Sequence, residues 1–165
     1  MLPQELVREV FRRISSEGAL PVDDLFTPDA IYEGVYANAQ IRGAAAIGLM
    51  LGKVIPAALD RFRQWPIGIL SNSDGTSLSI EYRSDGIAPH NGAPYRNFYT
   101  GLIRLKGDRI AFWREYYDPS RFAAAVGPNF PRLVEQWMPA GSMTAKPADH
   151  PAHTLFALLG DNKSG

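Results

Sequence analysis

The chain contains no cysteine, which excludes disulfides, a thiol nucleophile and any thiolate metal site. It also lacks an excess of charge, since 17 basic residues balance 17 acidic ones. A nucleic-acid or anionic-membrane partner needs a clustered basic face, and none occurs along the chain. Histidines number only 3. His150 and His153 are close enough to share a metal, but Pro151 intervenes and no third ligand is near, so no metal centre is expected. His90, in Ala88-Pro89-His90-Asn91-Gly92, reads as an exposed loop residue. No Walker loop, Gly-x-Gly-x-x-Gly or Ser-His-Asp order follows a strand, which removes most cofactor-dependent and nucleophile-elbow chemistry. The expectation is therefore no cofactor. Long apolar runs are missing too. Met1 to Glu17 mixes Arg8, Arg12 and Arg13 with Glu5, Glu9 and Glu17 and has no signal-peptide core. Ala44 to Leu59 is interrupted by Lys53 and Pro56 and is too short to span a bilayer. A cytoplasmic protein is the expectation.

What is present suits one domain. The 165 residues, 45% hydrophobic and 21% charged, can bury a sizeable core. Leu2, Leu6, Val10 and Ile14, flanked by Val7 and Phe11, recur at helical spacing, with Pro3 at a starting position and Gly18 as a stop. The spacing predicts a helix over 3–17. Pro21 to Phe26 reads as a single helical turn and Asp29 to Val35 as a short strand. A second long helix is predicted over 43–59, where Gly48 and Gly52 share one face and permit close packing. From Arg61 the period changes to two. Strands are predicted over 61–71, 76–87, 94–106 and 109–118, separated by turns at Gly75, Pro89/Asn91/Gly92 and Gly107-Asp108. A short helix follows from Pro119 to about Val126. Residues 127–165 carry Pro128, Pro131, Pro139, Pro147 and Pro151, and hold apolar patches only at 130–138 and 153–159. The division expected is a domain over 1–126 and a Pro-rich tail over 127–165 that packs on it or on a partner subunit. Long consecutive strands preceded by two helices imply an α+β architecture, a curved antiparallel sheet with the helices on one face.

The most informative stretch runs from Tyr95-Arg96-Asn97-Phe98-Tyr99, through the turn Gly107-Asp108, to Trp113-Arg114-Glu115-Tyr116-Tyr117-Asp118. It places carboxylates beside large aromatics near the end of the last strand. A carboxylate in such surroundings is poorly solvated and keeps its proton to higher pH, which suits general acid–base work.

The order helix, short strand, helix, four long strands, together with Tyr95-x-Asn97, Gly107-x-x-Ile110 and Arg114-Glu115-Tyr116-x-Asp118, resembles the nuclear transport factor 2-like superfamily. Its SnoaL-like branch of ketosteroid isomerases, polyketide cyclases and small phenazine-biosynthesis proteins comes nearest. The resemblance covers roughly residues 3–125. It implies a cystatin-like cone with an apolar cavity open at one end, and a glutamate on the last strand as general acid–base, which here is Glu115. It also implies polar residues on the second helix where this chain has Met50 and Val54, leaving a greasier wall. Relatives often form dimers through the outer sheet face, for which Phe98, Leu102, Phe112 and Arg114 are candidates.

Glu115 is the leading catalytic candidate if it faces the cavity among Trp113, Tyr117 and Tyr99; otherwise it is an ion-pair partner of Arg104 or Arg114. Its face depends on the turn. A two-residue turn at Gly107-Asp108 groups it with Thr100 and Phe98, whereas one extra residue groups it with Tyr99 and Asn97. Glu81, in Ser79-Ile80-Glu81-Tyr82-Arg83, either faces solvent or pairs with Glu115 inside the cavity and splits its pKa. Asn97 either donates to a developing oxyanion or ties a strand to a neighbouring loop. Asp118, before Pro119, reads as a helix cap. Tyr32, Tyr36, Tyr95 and Tyr99 could supply hydroxyls near the cavity mouth.

Three readings follow. The first is an acid–base enzyme (isomerase, cyclase, dehydratase or condensation type) acting on a small apolar cyclic or polyketide-like molecule. The second is a carrier using the same cavity without chemistry. The third is a dimeric interaction domain.

Overall fold

The computed structural model describes residues 1–35, 39–147 and 150. Helix α1 spans Pro3–Ile14 and buries Leu6, Val7, Val10, Phe11 and Ile14, one stripe at helical spacing. Pro3 opens it, and the Glu5 carboxylate accepts the Leu2 N–H at 3.0 Å, so two helix-start devices act together. A 3-10 turn at Asp23–Leu25 leads into β1, Phe26–Gly34, and then β2, Ala39–Arg42. The second long helix covers 44–58 as three joined pieces: α2 (Ala44–Leu49), a π segment (Met50–Val54) and α3 (Ile55–Ala58). Pro56 has no N–H to offer the carbonyl four residues back, and the wider π register directly precedes it. A Cβ on Gly48 would sit 3.0 Å from the Asp23 Cβ. Only glycine lets this helix lie so close on the 3-10 turn.

The sheet has seven strands, adding β3 (Asp60–Ser71), β4 (Ser77–Ile87), β5 (Pro94–Lys106), β6 (Arg109–Tyr117) and β7 (Met143–Ala145), in the order β3-β4-β5-β6-β1-β2-β7. All neighbours are antiparallel except β1 and β6, which run parallel. The architecture is thus the α+β cone expected, with a mixed rather than wholly antiparallel sheet. Register breaks in β3, β6 and β1 bend the sheet, as bulges do. Its concave face closes over α1 and the 44–58 helix around Val7, Val10, Ile47, Val54, Ile80 and Trp113.

Asp118 caps α4 (Pro119–Val126) by accepting the Ser120 N–H at 2.9 Å. Helix α5 (Asn129–Trp137) rests Phe130, Leu133, Val134 and Trp137 against the core, and β7 hydrogen-bonds to the edge of β2. Among the described residues, no helix is long and apolar enough to cross a membrane. The apolar patch at 153–159 lies outside the described residues.

Candidate functional site

The face that Glu115 presents is decided by one residue. The β5–β6 turn is the two-residue kind, with Lys106 opposite Arg109 and Gly107 at φ 63°. Leu105 then pairs Ile110 but Arg104 pairs Phe112, so Ala111 is an extra residue in β6. That bulge moves every later side chain of β6 to the other face. Glu115 consequently points inward with Trp113 and lies opposite Gly101.

There it is 6% exposed and meets two tyrosines. The Tyr32 hydroxyl donates to Glu115 Oε2 at 2.5 Å, and the Tyr82 hydroxyl donates to Oε1. Burial pushes the Glu115 carboxyl up to about 7, against the pull of these two hydrogen bonds toward the ionised form. Tyr32 and Tyr82 are driven well above the usual tyrosine range, first by burial and then by the adjacent carboxylate. They therefore stay protonated donors, while Glu115 can both give and take a proton near neutrality.

Glu115 and Tyr32 open onto a cavity of about 130 Å³, enough for one ring. Ile41, Met50, Ile55, Phe122, Phe130 and Met143 form its apolar wall. Tyr99 stacks on Tyr82 with ring centres 4.7 Å apart, and Tyr117 tilts against Tyr99 at 5.3 Å. The Tyr99 hydroxyl accepts from Ser84 at 3.0 Å and lies 2.7 Å from that of Tyr95.

A second carboxylate, Glu33, is adjacent in sequence to Tyr32 but engaged elsewhere: Arg114 Nε donates to it at 2.5 Å and His150 Nε2 is 2.9 Å away. Nearby, Lys146 Nζ donates to the carbonyls of Gly34 and Val35 at 2.7 and 3.0 Å.

The residues singled out from the sequence separate clearly. Tyr32, Met50, Tyr99 and Tyr117 line the cavity with Glu115. The ion pair of Glu115 with Arg114 does not form, because Arg114 reaches Glu33; Arg104 lies over Phe112 instead. Glu81 is exposed on the outer face, opposite Thr100 and Gly68, and does not approach Glu115. Asn97 is buried, but its Nδ2–H donates to the Asp118 carbonyl at 2.9 Å and its Oδ1 accepts the Phe98 N–H. Its amide holds the corner between β5 and α4 rather than facing a ligand. Val54 and Trp113 are core residues that do not line the cavity. Among the described residues Tyr95 does not line the cavity and reaches it through the Tyr99 hydroxyl. Tyr36 lies outside the described residues.

Tyr82 and Gln64 were not legible as site residues, although alternation carries both. Once Glu81 points outward, Tyr82 must point inward, and Gln64 follows Phe62 on the inner face of β3. Phe130 and Met143 come from the Pro-rich segment. Phe130 opens the helical spacing Phe130, Leu133, Val134, Trp137, a signal that could have found it, whereas the strand of Met143 is too short to show alternation.

Comparison with known proteins agrees with this fold. No protein-family model matches the chain. The uncharacterised protein YesE of Bacillus subtilis is 27% identical over 116 residues, 68% of this chain and 78% of that protein. A crystal structure of a candidate isomerase from Bacillus subtilis superposes with a TM-score of 0.66 at 25% identity, covering 78% of this chain and 94% of the other. A protein with a ketosteroid isomerase-like fold from Catenulispora acidiphila, solved in complex with trimethylamine, gives a TM-score of 0.64 at 20% identity over 84% of this chain and all (100%) of its own. The chain has the nuclear transport factor 2-like fold. Within that fold it is also similar to a candidate SnoaL-like polyketide cyclase from Jannaschia, with a TM-score of 0.61 at 14% identity over 76% and 92% of the two chains.

Proposed function

We propose that the protein is a cofactor-independent acid–base enzyme that moves a proton on a small apolar cyclic or polyketide-like substrate, in an isomerisation, cyclisation, dehydration or condensation. The observation that carries this reading is the buried Glu115 carboxyl, raised to about 7, at the wall of an apolar cavity. In its ionised form Glu115 takes a proton from a carbon beside a carbonyl and later returns it to another atom of the same molecule. Charge that builds on the carbonyl oxygen needs a donor. The Tyr117 hydroxyl, at the cavity wall and without a hydrogen bond among the described residues, supplies one. Glu115→Gln keeps the volume and one acceptor oxygen, so the variant should fold and bind but lose ~10²–10⁴-fold in turnover. Unchanged turnover removes Glu115 from the chemistry.

A second reading, a ligand carrier, is favoured by the fact that both Glu115 oxygens already accept tyrosine hydroxyls. Binding of aromatic or steroid-like compounds without turnover supports it over catalysis. In either case we propose a homodimer through the outer sheet face, where Phe98 and Leu102 are 63% and 38% exposed on the same face of β5, on either side of Thr100.

A further inference from the structure

Gln64 is the one carboxamide among the described residues of the cavity wall, and its surroundings leave it unused. Its backbone is held on both sides by a single hydroxyl: Ser15 Oγ donates to the Gln64 carbonyl and accepts its N–H, each at 2.8 Å. This clamp ties β3 to the end of α1 and fixes the position of the Gln64 Cα. Along β3 the buried residues alternate Phe62, Gln64, and Gln64 stands opposite Ser84, which is wholly buried on the inner face. The side chain is therefore turned inward, in a residue 8% exposed overall, and makes no hydrogen bond among the described residues.

The other polar groups at this wall are mostly engaged. Glu115 has its two tyrosines, Tyr99 has Ser84 and Tyr95, and Glu33 has Arg114. Gln64 and the Tyr117 hydroxyl are left to meet a ligand. The carboxamide atoms stay open to the cavity, so a ligand group of matching polarity can reach them.

We infer that Gln64 is a specificity-determining residue: its carboxamide hydrogen-bonds a neutral oxygen substituent, hydroxyl or carbonyl, on a ligand about one ring in size. The carboxamide offers two N–H donors and one acceptor oxygen, so it accommodates either substituent. No basic side chain occurs among the described lining residues. A carboxylate or phosphate substituent would thus enter uncompensated beside Glu115, which is why the oxygen substituent is not an anionic one. The inference rests on the cavity being a ligand site, as proposed above, but not on Glu115 chemistry.

Phenol and toluene, one ring each and differing in hydroxyl against methyl, form the test. Calorimetric titration of the full chain with each gives the ratio of their dissociation constants. Gln64→Leu should lower the preference for phenol about tenfold, weakening phenol while tightening toluene. Glu115→Gln should leave that ratio within twofold. Ligand-free Gln64→Leu should also melt close to the wild-type temperature, since the amide bonds no other described group of the fold, whereas a structural role for the amide would lower it. An unchanged ratio in Gln64→Leu overturns the inference, as does a ratio that collapses in Glu115→Gln instead, because phenol would then be read by the carboxylate. Wild-type protein that takes up neither probe overturns it as well. Loss of turnover in Glu115→Gln beside an unchanged ratio in Gln64→Leu sinks this inference alone and leaves the acid–base reading standing.

Discussion

Glu115 lies directly opposite Gly101 in the β5–β6 ladder, so the buried carboxyl faces a strand neighbour with no side chain. The space above Gly101 is taken by others. A Cβ placed there would be 2.8 Å from Ile80 Cγ1 and 3.2 Å from Trp113 Nε1. Gly101→Ala should therefore push Ile80 or the indole aside and destabilise the fold by about 1–3 kcal/mol, as overpacking does. Chemical denaturation measures this, and a variant as stable as the parent would mean the core yields freely at that point.

The Glu115 carboxyl makes stability depend on pH in a direction opposite to that of most acids. Its half-ionisation point in the fold is about 7, against 4.5 for the ordinary side chain. Below pH 4.5 both folded and unfolded chains hold the proton, and the group's contribution is fully present. Between 4.5 and 7 the unfolded chain releases the proton while the folded one retains it, so stability falls as pH rises, by about 3 kcal/mol in all. Subtracting the curve of Glu115→Gln from that of the parent isolates this slope. A flat difference curve would show a carboxyl that ionises normally.

Tyr32 and Tyr82 both donate to Glu115 and favour its ionised form. Removing either hydroxyl should raise the carboxyl's half-ionisation point further, by about one pH unit. In Tyr32→Phe the acid limb of a pH–rate profile, or a carboxyl resonance followed by NMR, should move to higher pH. Movement to lower pH would contradict the assigned hydrogen bonds.

Phe98 projects from the outer face of β5, away from cavity and core. If that face joins two copies, Phe98→Asp should halve the sedimentation mass while leaving the melting temperature of the single chain little changed. A parent protein that already sediments as one chain would remove the interface.

The regular parts of this fold are visible in the sequence because they obey simple periods. The stripe from Leu6 to Ile14, and the four strands after Asp60, match the structure to within a few residues. The parts not visible are those where a tertiary partner supplies the order. Strands β2 and β7, of 4 and 3 residues, are too short to show alternation and exist because each pairs with a neighbour. The face of Glu115 was open between two registers, and Ala111, an unremarkable residue in a strand, decided it. Glu81 and Asn97 show the same limit from the other side. A carboxylate and an amide in alternating strands look alike whether they face a cavity, solvent or a loop carbonyl. Gln64 is the converse case, a polar residue whose type suggests the surface although alternation from Phe62 turns it inward.

The parallel contact between β1 and β6 sets a timetable for assembly. Tyr32 and Glu115 are separated by 83 residues of chain, so the first leaves the ribosome long before the second is made. Until residues 109–117 emerge, β1 has β2 on one side and a bare edge on the other, and such edges recruit other chains. The pocket is consequently among the last features to form, through a long-range closure that slows folding. A chain ended before residue 109 would lack β6, α4, α5 and β7, and would leave β1 without the strand that completes it.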